Sequence, residues 1–142
     1  MEPIPDPRRP SPEDYRSAAA LRAAVRRFLR GGERAAREAG LTPQRQLLLL
    51  MVKGAPDGSE RATVGDLAAR MQLAANTVTE LIDRTEALGL VAREADPADG
   101  RIVHVRITRE GEARLAETVL ALSADRLELA RTLAELELPD AP

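Results

Sequence analysis

Along most of the chain, apolar residues return every three or four positions. Leu21, Val25, Phe28 and Leu29 stand at i, i+4, i+7 and i+8, which lines one face of a helix beginning near Glu13. Gly31-Gly32 falls inside that stretch and is expected to end or kink it before ERAAREAG, which closes at Gly40. Residues 1–12 hold five prolines and read as a disordered or extended arm. The next helix has a clear start: Thr42 can cap, Pro43 takes the first helical position, and QRQLLLLMV runs to Lys53-Gly54. Four consecutive leucines imply burial on most sides.

After the turn-forming loop APDGSER, Thr63 caps a short helix with Val64, Leu67, Ala68 and Met71 as its apolar stripe. A brief break, QLAA, leads to NTVTELIDRTEAL, which buries Val78, Leu81, Ile82 and Thr85 and stops at Gly89. Two short helices across a tight turn outline a helix-turn-helix or an ordinary helical hairpin. The period then changes from 3.6 to 2. Leu90–Ala95 and Arg101–Ile107 predict two strands joined by the five-residue loop DPADG. Val103, Val105 and Ile107 share one face, and Ile102, His104 and Arg106 the other. Thr108 caps a last helical region striped by Leu115, Val119, Leu122, Leu129, Leu133 and Leu136, with a break expected at Ser123-Ala124-Asp125. The fold class is therefore mainly α with a small β-hairpin: a winged helix-turn-helix core flanked by N- and C-terminal helices. A hairpin in this place is a wing, and Arg101 stands where a wing meets phosphates and the minor groove.

Composition narrows the chemistry. The 142 residues suit one domain, and Tyr15 and Phe28 are the only aromatic side chains, which argues against base stacking as a binding mode. Without cysteine, disulfides, thiol redox sensing and Cys-bound zinc are excluded, and the single histidine, His104, makes a histidine metal site a poor fit. No apolar run approaches the roughly 20 residues of a membrane span, and MEPIPDPRRPSPED is too polar for a signal peptide. A cytoplasmic protein without metal or cofactor is expected. The net charge of −2 hides a gradient, from nine arginines against six acids in residues 1–40 to three against eight in residues 110–142. No basic patch stands out along the sequence.

The ordered set LTPQ (41–44), TVGDLAARM (63–71), NTVTELIDR (76–84), LGLVAR (88–93), DPADGR (96–101) and ITREG (107–111) resembles the MarR family of bacterial winged-helix regulators over roughly residues 15–138. The resemblance implies a single domain over 13–142, with dimerisation helices at 13–40 and 109–138 and a DNA-binding core at 41–108. It implies a homodimer on a pseudo-palindromic operator, usually repressing, with a small effector releasing the DNA. By position, Asn76, Thr77, Thr79, Glu80 and Arg84 lie on the recognition helix. Asn76 fits a base contact or a helix cap, and Arg84 a phosphate contact or a salt bridge to Glu80. Arg101 is the wing-tip residue and Asp99 the carboxylate that holds it. Arg93 is a further phosphate candidate, and Thr63 and Gly65 can offer backbone N–H groups to phosphate. The implied effector pocket lies between the dimer helices and the winged core. Tyr15, Phe28, Leu47 and Met51 are candidates for its lining, although each fits plain core or interface better.

Three positions depart from the family pattern. Glu80 stands where Arg or Lys is common, Gly100 where the wing usually carries a second base, and Thr85 where leucine is usually buried. The first two weaken attraction to phosphate unless Glu80 accepts from a cytosine amine. Two functions follow from different classes: a dimeric DNA-binding regulator, or a winged-helix protein with weak or lost DNA binding that serves as a protein-interaction module. An enzyme is disfavoured, because the sequence shows no nucleophile–base pair, phosphate loop or metal set.

Overall fold

The computed structural model describes residues 2–4, 6–7 and 9–136. Six helices and three short strands follow one another as α1 (Pro12–Glu38), α2 (Pro43–Lys53), β1 (Arg61–Ala62), α3 (Val64–Met71), α4 (Ala75–Ala87), β2 (Val91–Ala95), β3 (Val103–Ile107), α5 (Arg109–Ala121) and α6 (Ser123–Glu135). They fall into two compact units: the described residues of 1–31 with 122–136, and residues 32–121. The dividing points lie inside the stretches 13–40 and 109–138 that the sequence assigns to dimerisation, and residues 137 and 138 are outside the described residues. Among the described residues, no helix is long and apolar enough to cross a membrane.

In the smaller unit, α1 starts one residue earlier than the pattern suggests. The Ser11 hydroxyl accepts from the Asp14 N–H at 3.1 Å and Asp14 accepts from the Ser11 N–H at 2.6 Å, a reciprocal cap. The expected break at Gly31-Gly32 does not occur, and α1 runs unbroken through both. Packing outweighs the low helix propensity of glycine here. A Cβ on Gly31 would come 2.6 Å from the Asp125 Oδ2 on α6 and 3.7 Å from Leu122, so the bare Cα leaves room for the Asp125 carboxylate against α1. Nothing lies within 4 Å of a Cβ on Gly32. The break before α6 falls at Leu122, one residue before the predicted one.

The larger unit is built on α2. Thr42 accepts from the Arg45 N–H at 3.2 Å, and Pro43 opens the helix. Leu48, Leu49 and Val52 are fully buried, while Leu47, Leu50 and Met51 pack partly buried on the same cluster. Leu67 and Met71 of α3, Val78, Leu81 and Ile82 of α4, Val91, Val105 and Ile107 of the sheet and Leu115 of α5 complete this aliphatic core. Two polar groups inside it are satisfied: Gln46 donates to the Thr118 hydroxyl at 3.2 Å, and Thr85 donates to the Leu81 carbonyl at 2.6 Å. Lys53, the only lysine, ties the end of α2 to Glu60 at 3.0 Å and to Glu112 at 2.8 Å on α5.

The strands form one antiparallel sheet in the order β1-β3-β2. Arg61 pairs with Arg106 and Ala62 with Val105, while β2 pairs with β3 from Val91↔Ile107 to Ala95↔Val103. The hairpin is therefore backed by a third strand that the sequence reading placed in a loop. Val105 and Ile107 face the core as predicted, but Val103 is exposed beyond its edge.

Candidate nucleic-acid interface

The turn between α3 and α4 sets two helices against each other. Thr63 and Asp66 form a capping box at the start of α3, and Gln72 ends it in the left-handed conformation (φ 56°). From there α4 buries Val78, Leu81, Ile82 and Thr85. That burial turns Asn76, Thr79, Glu80, Asp83 and Arg84 outward together, with Thr77 half-buried at the flank. The reading of Asn76 as the cap is corrected. Ala74 is the N-cap residue and makes no side-chain bond, so Asn76 lies inside the first turn with its amide exposed. The Thr79 hydroxyl donates to the Ala75 carbonyl at 3.0 Å and keeps its lone pairs for an incoming donor. Arg84 forms no ion pair with Glu80; among the described residues its guanidinium has no acidic partner within ion-pair distance.

Arg93, the further phosphate candidate, is already ion-paired. Its guanidinium reaches back from β2 to α4, bonding Glu86 at 2.7 Å and also Asp83, while its backbone N–H donates to Glu86 at 3.1 Å. The hydrogen bond to Asp83 first, and then Glu86, raises its affinity for the proton further. With two carboxylates already engaged, Arg93 braces the hairpin against α4 instead of offering a free charge. Asp83 and Glu86 were absent from the sequence-predicted set, although their i, i+3 spacing on one helix side is the signal that could have found them. Thr63 is occupied in the same way: its N–H donates to Asp66 at 3.1 Å, leaving Gly65 as the candidate for a backbone contact.

At the wing, the connection between the strands runs from Asp96 to Ile102, two residues longer than DPADG. The Asp96 N–H donates to the Ile102 carbonyl at 2.8 Å, and Ile102 N–H to the Asp99 carbonyl at 3.0 Å, so Arg101 and Ile102 belong to the loop. Asp99 accepts from Arg101 three times: at its backbone N–H (3.1 Å), Nε (3.1 Å) and Nη2 (3.2 Å). Arg101 nevertheless keeps 92% of its side chain exposed. These contacts, the Arg101 side chain first, hold the Asp99 carboxyl below the usual carboxylate range.

Behind the tip, His104 bonds Asp96 at 2.7 Å. That bond first, and then the N–H groups of Ala98 and Asp99, draw the Asp96 carboxyl down to about 2. A carboxyl depressed in the folded state stabilises above its unfolded value, about 3.9, and that contribution is lost as pH falls from there through about 2. The Ala98 and Asp99 amide resonances are therefore expected to titrate in NMR with a midpoint near 2. A midpoint near the ordinary value of about 4 would mean Asp96 does not hold the loop.

On the outward sheet face, Glu94 of β2 pairs with arginines of the other two strands, 3.1 Å from Arg106 and 4.0 Å from Arg61. A cavity of about 280 Å³ sits beside α3, but its charged lining is committed elsewhere: Arg61 to Glu94, Arg70 to the Met51 carbonyl, Asp57 to Ser59, and Asp66 to Thr63. None of the four sequence-predicted pocket residues lines it. Leu47 and Met51 pack on the core of the larger unit; Tyr15, largely exposed, and Phe28, half-buried, stand on α1 in the smaller one.

Comparison with known proteins places this arrangement. A model described as the MarR family matches residues 39–102. An uncharacterized HTH-type transcriptional regulator, YsmB, of Bacillus subtilis (strain 168) is 44% identical over 57 residues, which is 40% of this chain and 39% of the relative. The chain spans about half or less of the length of the curated relatives it matches, from 39% to 52%. The crystal structure of AbsC, a MarR family transcriptional regulator from Streptomyces coelicolor, superposes with a TM-score of 0.72 at 21% identity, over 91% of this chain and 90% of that one. A mutant MarR from E. coli complexed with operator DNA gives 0.63 at 19% identity, over 80% and 79%. At those identities the two structures establish the fold: a winged helix. Residues 39–102 are thus similar to the MarR family, and they sit in a winged-helix fold.

Proposed function

We propose that the protein is a transcriptional regulator that binds double-stranded DNA as a homodimer in the cytoplasm, laying α4 in the major groove of each half of a pseudo-palindromic operator. The observation that carries this reading is the pairing of an outward polar face on α4 with a wing whose tip holds Arg101, exposed yet fixed by Asp99. Asn76, Thr77 and Thr79 supply base-edge or phosphate contacts, Arg84 and the Gly65 N–H reach phosphate, and Arg101 enters the minor groove. The E. coli relative complexed with operator DNA supports the same use of this fold. Dimerisation falls to α1 and the stretch 109–138. The exposed Leu29, Leu127 and Leu133, and the absence of any buried residue in α6, leave apolar surface for a second copy to cover. The regulator acts as a repressor, released by a small organic ligand.

The face of α4 sets the strength of binding. Glu80 and Asp83 outnumber Arg84 on it, and Arg93 is withdrawn into its own ion pairs, so few cations meet phosphate and the salt dependence is shallow. The same acidic face favours a second reading, a winged-helix module that meets a protein instead of DNA. Replacing Arg101 with alanine separates the two. A DNA-binding wing loses affinity for all sequences by about ten-fold, and the slope of log Kd against log salt falls by about one. Unchanged affinity and slope in fluorescence anisotropy would remove the wing from the interface.

A further inference from the structure

The single histidine of the chain has no place in the interface described so far, yet it is one of the best-held side chains of the wing. His104 stands on β3 with 14% of its side chain exposed, and its Nε2 lies 2.7 Å from Asp96 Oδ2. The other oxygen of Asp96 accepts the N–H groups of Ala98, at 2.8 Å, and of Asp99, at 3.1 Å. Asp99 in turn holds Arg101 by its backbone N–H, Nε and Nη2. A continuous line of hydrogen bonds therefore runs from the rigid strand to the exposed guanidinium: His104, Asp96, the backbone of Asp99, the Asp99 carboxylate, Arg101.

We propose that Asp96 and His104 are positioning residues that set the Asp99 carboxylate, and through it Arg101, in the conformation that meets DNA. The inference rests on the DNA-binding reading above. An exposed arginine loses its rotamer freedom when it binds, and a guanidinium already held in place loses less. The loop has no apolar packing to do this: Pro97, Ala98, Gly100, Arg101 and Ile102 are all exposed. Its shape comes from the two aspartates, and Asp96 is anchored to the sheet by His104.

The histidine acts through one nitrogen. Its Nδ1 is buried without a hydrogen-bond partner among the described residues, so Nε2 is what links it to the loop. Glutamine places its amide nitrogen near the position of Nε2, and asparagine places it near Nδ1. His104→Gln is therefore expected to preserve the line, while His104→Asn and Asp96→Ala break it.

Two measurements test this. In NMR of the free protein, the Arg101 Nε–Hε signal is shifted and slow to exchange in the wild type and in His104→Gln. It moves to the position of a free arginine, with fast exchange, in Asp96→Ala and His104→Asn. Anisotropy with a cognate duplex gives the second readout: Asp96→Ala and His104→Asn weaken binding about five-fold, His104→Gln stays within about two-fold, and none of the three adds to the loss in an Arg101→Ala background. An Arg101 signal unmoved by Asp96→Ala overturns the proposal, as do losses that persist without Arg101 or an asparagine that substitutes as well as glutamine. If Arg101→Ala itself costs no affinity, the wing is not a DNA contact, and the NMR result still decides the positioning on its own.

Discussion

Replacing Gly111 with alanine should unfold the larger unit about 10 °C or more below the wild type, a loss of about 3 kcal/mol. Gly111 lies in the first turn of α5, where its N–H donates to the capping Thr108 hydroxyl at 3.2 Å. A Cβ there would sit 2.1 Å from the Leu90 carbonyl oxygen and 2.9 Å from Ile107. The carbonyl cannot step aside: it accepts the Thr108 N–H at 3.0 Å, and the Leu90 N–H is itself bonded to Thr85. Alanine gains up to about 1 kcal/mol of helix propensity over glycine, which is too little to offset a backbone collision. Thermal unfolding followed by circular dichroism decides the matter. A midpoint within a degree or two of the wild type would mean that Gly111 of α5 does not lie against the Leu90 carbonyl as described.

The second large effect belongs to α4. Ile82 is fully buried against the core, and truncation to alanine should cost about 3 kcal/mol through lost burial and the cavity left behind. Thr85, one turn further on, offers a contrast. It is equally buried, but its hydroxyl is satisfied inside its own helix by Leu81. Thr85→Val removes donor and cost together and should change stability by less than about 1 kcal/mol. A large loss in both variants would show that the hydroxyl contributes more than local satisfaction. Little loss in Ile82→Ala would show that α4 is not anchored by this face. Since α4 is the element proposed to enter the groove, Ile82→Ala should also weaken DNA binding wherever the helix loosens.

What the sequence made legible was whatever repeats or caps. The leucine run of α2, the stripes of α3 and α4 and the change of period at the hairpin are local signals, and Thr42, Thr63 and Thr108 cap as their positions suggest. What it hid depends on distant partners. β1 is two residues long, too short for a period, and exists because β3 pairs with it. Gly31 reads as a helix breaker until Asp125 of α6 is seen against it. Arg93 looks like a free cation in a list of residues, but the hairpin sets it over two carboxylates of α4. The bond between Asp96 and His104 depends on strand register: Glu94 pairs with His104, so Asp96 lies just beyond the last rung, where it can turn back toward the ring. Asp99 and Arg101, two residues apart, were readable because their contact is local.

The most direct test of a dimeric DNA-binding regulator is fluorescence anisotropy of the purified protein. The probe is the duplex upstream of its own gene, with a scrambled duplex as control, at low and at physiological salt. The account predicts binding to the upstream duplex that survives physiological salt, exceeds binding to the scrambled control, and saturates at two chains per site. No binding to either duplex at low salt would contradict it and leave the acidic face of α4 as a surface for a protein partner.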